Sequence, residues 1–222
     1  MVGEKIKVLI SAGPTREYID PIRFISNPST GKMGYLIAEC AKKMGYSVIL
    51  VSGPTHLKPP KKVKFIKVET AKEMQREILR HFPQVDILIM AAAVSDWRPY
   101  RKFKNKLKRK KEWNLKLIPN PDILKSVSKI KKENQIVVGF ALETNQIIKN
   151  AEKKLKEKKL DLIIGNTPDF FGDGKKSDVC FIFKNGKILK YKIKKEQLPI
   201  LLFKKIFKQN LIIANQIYKV RL

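Results

Sequence analysis

Short apolar runs alternating with amphipathic helical stretches constrain this chain more than any other feature. The runs fall at 8–10, 48–51, 63–68, 87–90, 136–140 and 160–164, and helical patterns at 32–44, 71–82, 121–132 and 146–159 lie between them. In the first helical pattern Met33, Ile37, Ala41 and Met44 recur at steps of four, four and three, which places them on one side of a helix. The stretch Ile87-Leu88-Ile89-Met90-Ala91-Ala92-Ala93-Val94 lacks the polar alternation of a strand with one wet face. It reads as a strand covered on both sides, and strands of that kind joined by helices pair in parallel. The predicted fold class is therefore α/β, a Rossmann-like, mostly parallel sheet flanked by helices, in one domain over 1–222. The last third changes character. Apolar runs at 178–183 and 188–191 flank Lys184-Asn185-Gly186-Lys187, which predicts a β-hairpin closed by a type I′ turn, since Asn and Gly both tolerate positive φ. A helix with an apolar face follows over about 196–209.

A hydrophobic content of 43% beside 31% charged residues describes a globular chain and excludes a disordered one. No apolar run approaches the roughly 20 residues that span a bilayer. Lys5 and Lys7 interrupt the apolar start, so no signal peptide is expected. Cys40 and Cys180 are far apart, and with only His56 and His81 beside them they form no zinc-ligand spacing; a reducing, cytoplasmic compartment is expected. The net charge of +28 raises the question of nucleic acid. Most lysines are dispersed, but in Arg101-Lys102-Phe103-Lys104-Asn105-Lys106-Leu107-Lys108-Arg109-Lys110-Lys111 eight of eleven residues are basic. Such a run is either a solvated loop or a phosphate-binding strip. Stacking aromatics beside it are sparse (Tyr100, Phe103 and Trp113), which argues against a single-stranded nucleic-acid groove. A basic nucleic-acid-binding protein that uses 101–111 as its arm is the alternative to an enzyme.

Between the first apolar run and the first helix lie roughly twenty residues, far more than a strand-to-helix turn needs. They contain Ala12-Gly13-Pro14-Thr15-Arg16-Glu17 and Arg23-Phe24-Ile25-Ser26-Asn27-Pro28-Ser29-Thr30-Gly31-Lys32-Met33-Gly34. Glycines, hydroxyls and arginines at the carboxyl end of a first strand are the chemistry that holds a phosphate-bearing ligand. Two standard motifs fail here. A Walker A loop ending at Gly31-Lys32 would need Gly at 26 and Ser or Thr at 33, where Ser26 and Met33 stand. The dinucleotide fingerprint lacks its first glycine, and Ser52-Gly53-Pro54 replaces the acidic residue expected after the second strand, which disfavours a nicotinamide-dependent reductase. Asp96 follows the fourth apolar run and is a candidate ligand for a divalent cation bridging nucleotide phosphates. Asn120-Pro121-Asp122 reads as a helix start, with Asn120 as cap and Pro121 in the first turn. Lys154 and Lys158 share a helix face.

Together these segments resemble the bacterial phosphopantothenate–cysteine ligase family, usually found fused behind a flavin-dependent decarboxylase. The ordered motifs are the 12–34 loop, Ser52-Gly53-Pro54, Ala92-Ala93-Val94-Ser95-Asp96-Trp97-Arg98-Pro99, Asn120-Pro121-Asp122-Ile123-Leu124 and Val138-Gly139-Phe140-Ala141-Leu142-Glu143-Thr144. The resemblance implies a ligase that uses CTP and Mg²⁺ to turn the carboxylate of 4′-phosphopantothenate into an acyl-cytidylate, from which the cysteine amine displaces CMP. It implies catalytic roles for Asn27, Arg23 and Lys106, the last on a mobile basic loop over the activated carboxylate. It implies nucleotide contacts at Gly13, Gly31, Gly34, Ser52, Gly53, Ala92, Ala93, Asp96, Pro121, Asp122, Ile123, Leu124, Phe140, Lys154 and Lys158, with Asp96 also the metal ligand. A homodimer is implied, with the hairpin region at about 165–195 helping subunits pair. No FMN and no membrane are expected, since nothing here matches the decarboxylase half. The chain departs from the family at Arg109, which stands for the last lysine of the loop, at Pro119, which stands for a frequent lysine, and at Asn166-Thr167-Pro168, which follows the family's Ala-Asn-Asp loosely.

Overall fold

A computed structural model describes residues 5–109, 111–167 and 176–208. The apolar runs form the strands β1 (Lys7–Ala12), β4 (Ser47–Ser52), β5 (Lys64–Lys67), β6 (Ile87–Met90), β9 (Ile136–Leu142) and β10 (Leu162–Asn166), followed by β11 (Ser177–Phe183) and β12 (Ile188–Ile193). They make one eight-stranded sheet in the order β12-β11-β10-β9-β6-β1-β4-β5. The six strands from β10 to β5 pair in parallel, whereas β11 and β12 run antiparallel at one edge. Chain order reverses direction across the sheet between β1 and β6, and open α/β sheets place their ligand crevices outside the carboxyl ends of strands at such a point.

Among the described residues five helices cover this sheet: α1 (Lys32–Lys43), α2 (Ala71–His81), α3 (Ile123–Val127), α4 (Ile147–Glu157) and α5 (Leu198–Lys208). Side chains along a strand alternate faces, so Val8 and Ile10 join the layer under α1 and α5, with Ile37, Ala41, Leu202 and Phe203. Leu9 and Leu88 join the opposite layer under α2, α3 and α4, with Met74, Ile78, Val127 and Leu155. Helix α2 starts where it does because Thr70 Oγ1 accepts the Glu73 N–H at 3.2 Å while the Glu73 carboxylate accepts the Thr70 N–H at 3.4 Å. Among the described residues no helix is long and apolar enough to cross a membrane.

Three local expectations are corrected. The helix expected over 121–132 is only α3, capped by Asp122, whose carboxylate accepts the Lys125 N–H at 3.0 Å. Asn120 is not the cap: its side-chain amide donates to Ser95 C=O at 2.8 Å and its oxygen accepts from Arg98 at 3.1 Å. The winding tightens at once after α3, where Ile130 N–H bonds Val127 C=O and Lys129 N–H bonds Ser126 C=O. The late hairpin forms, but not through a type I′ turn. Only Gly186 takes a left-handed φ, of 84°. Its N–H bonds Phe183 C=O, as in a turn completed by a bulge glycine. The last helix spans α5, and Gln209 of the expected 196–209 lies outside the described residues.

Two small antiparallel ribbons also form where sequence periodicity showed no strand. One pairs β2 (Arg16–Tyr18) with β3 (Phe24–Ser26) inside the long first loop. The other pairs β7 (Trp97–Pro99) with β8 (Leu117–Pro119) and carries the basic run between its arms. Three-residue strands are too short for a period of two to be read. Gly53 sets how closely the first loop sits on the sheet: its N–H bonds Ala12 C=O, and a Cβ there would stand 1.8 Å from Pro14 O. Replacing Gly53 by Ala is expected to cost about 3 kcal/mol or more of folding stability, read from urea unfolding.

Candidate functional site

The loop after β1 and the segment after β6 lie side by side over the point where chain order reverses. Ala93 N–H bonds Gly13 C=O at 2.9 Å, Thr15 N–H bonds Ala93 C=O at 3.3 Å, and Ser95 N–H bonds Thr15 Oγ1 at 3.0 Å. The small side chains of Ala91, Ala92 and Ala93 let two backbones approach this closely. Asn27 closes the junction from above, donating from Nδ2 to Ala93 C=O and Val94 C=O at 3.2 Å each. Gly31, with a φ of 79°, turns the chain into α1 without a side-chain cap.

Around this junction a cleft opens in two adjoining chambers. The first, about 390 Å³, is lined by 27–33, 91–94, Asp96, Phe140, Leu142, Asn166 and Lys195. The second, about 550 Å³, is lined by Met90, Ala92, 94–97, 119–124, Phe140, Lys154, Lys158, Leu160 and Ile163. Ala92, Val94, Asp96 and Phe140 border both. Of the candidate residues, the structure brings together Asn27, Gly31, Ala92, Ala93, Asp96, Pro121, Asp122, Ile123, Leu124, Phe140, Lys154 and Lys158 in this cleft.

The remaining candidates stand elsewhere. Gly13, Gly34 and Gly53 are close-packing positions under the loop, where a Cβ on Gly34 would stand 2.5 Å from Ala12 Cβ. Ser52 is buried, bonding Gly53 C=O through its hydroxyl at 2.8 Å and accepting from Tyr35 Oη at 3.3 Å. Arg23 and Lys106 border neither chamber: Arg23 lies at the turn of the β2–β3 ribbon, and Lys106 is exposed on the basic loop.

The cations of the second chamber are held by carboxylates. Lys154 Nζ lies 2.6 Å from Glu143 Oε1, and Lys158 Nζ lies 3.0 Å from Asp122 Oδ2. Burial alone would raise the Asp122 carboxyl, but the Lys125 and Leu124 N–H groups and Lys158 outweigh it, so the group titrates below the ordinary aspartate value of 3.8. Asp96, in contrast, is exposed at the boundary of the two chambers. Among the described residues no three His, Cys, Asp or Glu side chains cluster closely enough to hold a metal by themselves.

Sequence reasoning passed over Lys195, which is 7% exposed and reaches the first chamber from the turn before α5. Nothing local marks it, because its place depends on how the last helix folds back beside α1. Asn166, on the loosely matching 166–168 segment, also borders this chamber, and its Oδ1 is buried without a hydrogen-bond partner among the described residues. Pro168 of that segment lies outside the described residues.

A family model described as the DNA/pantothenate metabolism flavoprotein C-terminal domain matches residues 3–210. The chain belongs to this family. Within it, the chain is 45% identical over 169 residues to the coenzyme A biosynthesis bifunctional protein CoaBC of Borreliella burgdorferi, covering 75% of this chain and 43% of that one. It is 45% identical over 199 residues to the CoaBC protein of Bacillus subtilis, covering 87% and 47% respectively. The chain thus spans less than half the length of these curated relatives. The crystal structure of the C-terminal domain of a CoaBC protein superposes with a TM-score of 0.79 at 38% identity, covering 92% of this chain and 95% of that domain.

In this flavoprotein C-terminal domain the Asp122–Lys158 pair gives a direct test. The folded carboxyl titrates below its unfolded value. Its contribution to stability is therefore present above the unfolded range and is lost as pH falls through the folded value. Replacing Lys158 by Met is expected to move the Asp122 midpoint upward, read by carboxyl-carbon NMR titration, while the Lys125 N–H keeps α3 capped.

Proposed function

We propose that this chain joins 4′-phosphopantothenate to L-cysteine, consuming CTP and releasing pyrophosphate and then CMP. The observation that carries the reading is the pair of adjoining chambers, with Asn27 in one and Lys154, Lys158 and the 121–124 segment in the other. A carboxylate does not react with an amine at neutral pH until one of its oxygens belongs to a good leaving group. Two chambers with a common border at Asp96 and Phe140 suit a carboxylate that must meet a nucleotide α-phosphorus and afterwards an amine. Attack of the carboxylate oxygen on that phosphorus breaks the bond to pyrophosphate. Attack of the cysteine nitrogen on the acyl carbon then breaks the bond to CMP, and the amine loses a proton.

The residues act by positioning and by charge. Lys154 and Lys158 receive the triphosphate in competition with Glu143 and Asp122, and Phe140 offers a ring at the common border. Asn27, its amide nitrogen committed to two carbonyls, presents its side-chain oxygen as an acceptor to an N–H of the incoming amine. The exposed Asp96 carboxylate fits Mg²⁺, which is commonly held by one or two carboxylates together with substrate phosphates. When bound, that ion neutralises charge on the phosphate oxygens. The loop lysine Lys106 and Arg23 serve the activated carboxylate in this reading. On the same reading the chain is one ligase domain that works as a cytoplasmic homodimer without flavin. Pairing would involve the hairpin region about 165–195, of which 168–175 lie outside the described residues.

The deciding experiment measures pyrophosphate release with 4′-phosphopantothenate, Mg²⁺ and either CTP or ATP, with and without cysteine. Release with CTP that needs phosphopantothenate, and amide product only with cysteine, is the expected result. Release with ATP alone would change the nucleotide and keep the ligase. No release from a folded sample would overturn the reading and leave nucleic-acid binding by the basic run to be assayed. Asn27→Asp would set a carboxylate against the two carbonyls that Nδ2 now reaches. It is expected to lower amide formation about 100-fold while pyrophosphate release falls less than tenfold, the order seen when one positioned hydrogen-bonding group is lost. Equal loss of both steps would contradict the role given to Asn27.

A further inference from the structure

The basic loop is not free of the rest of the molecule, although neither helix nor strand forms in its described part between β7 and β8. Asp20, at the turn of the β2–β3 ribbon, has a side chain with 0% exposure in a segment where Pro21 and Ile22 are exposed. Its Oδ1 accepts the N–H groups of Ile22 and Arg23, each at 2.9 Å, which closes the turn. Its Oδ2 accepts the Leu107 N–H at 3.1 Å and lies 3.4 Å from Arg23 Nε. Arg23 in turn donates from a terminal nitrogen to Leu107 C=O at 2.6 Å. Both polar groups of residue 107 are thus held, one by the carboxylate and one by the guanidinium that the carboxylate orients. A further bond, from Phe103 N–H to Ile19 C=O at 2.8 Å, docks the loop's first half on the same turn.

We propose that Asp20 is a positioning residue for Lys106: its carboxylate docks the basic loop on the ribbon turn and so fixes where the adjoining lysine stands. Only the link to catalysis rests on the ligase reading above; the docking itself does not.

Electrostatics favour the arrangement. A loop with eight cations in eleven residues repels itself, and a single buried anion that accepts a loop N–H gives it one defined resting place. Burial would raise the Asp20 carboxyl, but the Ile22, Arg23 and Leu107 N–H groups and the Arg23 charge hold it below the ordinary aspartate range. The geometry also requires a carboxylate where the turn alone would accept an amide. Asn closes such turns as well as Asp does, because one acceptor oxygen suffices. In Asp20→Asn the oxygen can keep Ile22 and Arg23, but the NH₂ group then meets the Leu107 N–H, donor against donor. The substitution separates the docking function from the turn function.

Three measurements on purified wild type, Asp20→Asn and Lys106→Gln test this. They are hydrogen exchange of the Leu107, Ile22 and Arg23 amides by NMR, the rate of trypsin cleavage within 101–111, and turnover with phosphopantothenate, CTP and Mg²⁺. In Asp20→Asn, Leu107 exchange and loop cleavage are expected to rise at least about tenfold, with the Ile22 and Arg23 amides still protected. In the same variant kcat is expected to fall about tenfold while the KM for CTP stays within twofold. Lys106→Gln should lose turnover with Leu107 protection unchanged. Unaltered Leu107 exchange in Asp20→Asn would overturn the docking, and a freed loop with normal kcat would overturn the positioning role. Normal turnover in Lys106→Gln would remove the assigned role of the lysine and leave the docking standing. If Asp20→Asn fails to fold, Asp20→Ser repeats the test, since its hydroxyl still closes the turn and cannot reach residue 107. Loss of fold in both variants would overturn the proposal, because the carboxylate would then hold the core.

Discussion

Two backbones meet at the centre of this molecule, and the cleft exists because they can. The loop leaving β1 and the segment leaving β6 hydrogen-bond through Gly13, Thr15, Ala93 and Ser95 at the carboxyl ends of neighbouring strands. At that separation there is room for little beyond Cα and Cβ atoms, which accounts for Gly13, Gly53 and the Ala91-Ala92-Ala93 run in one place. A buried peptide group away from its strand must find a partner or lose its hydration without return. The zipper supplies those partners. It thereby lets two loops form a floor whose Ala92 and Val94 border both chambers.

The two ribbons extend that floor. They place the aromatic and basic surface of the chain on one side of the cleft: Lys102 stacks on Tyr18, Arg101 on Phe103 and Lys116 on Tyr100, each near 5 Å from the ring centre. Aromatic rings thus hold these three cations within the chain, and the buried Asp20 carboxylate pairs with Arg23. At the opposite end of the sheet Asp161 does a comparable task for Lys131 and Lys184, which it pairs at 2.5 and 2.8 Å while also accepting the Val137 N–H. Each is a carboxylate with almost no exposure, satisfied by both cations and backbone N–H groups, as a buried charge must be.

The legible part of the fold was the part governed by long-period burial. Strand β6 and helix α1 could be read from residues, because each turns a distinct pattern toward two or one apolar layers. The ribbons could not, since three residues carry no period. Helix α3 was overextended, because the apolar residues after it continue a helical spacing that the chain leaves in order to send Lys131 to Asp161. In the cleft, Asn27, Asp96 and Phe140 were legible as members of ordered motifs, and Lys154 and Lys158 as two lysines sharing a helix face. Lys195 was not, because its presence depends on the path of the chain after β12. Ser52, Gly13, Gly34 and Gly53 belong to the same motifs, but their small side chains serve the close packing that the loops require.

Sequence by itself determined the layered α/β architecture and the chemical inventory at the carboxyl ends of its strands. These follow from burial and from spacing within single elements, and every residue carries that information locally. Tertiary structure alone decided which members of the inventory share a chamber, which lysines meet carboxylates, and that the basic run is docked through Asp20 and Arg23. Those outcomes depend on contacts between residues as far apart in sequence as 20 and 107. Such contacts depend on where the intervening elements deliver the chain, and no local pattern records that.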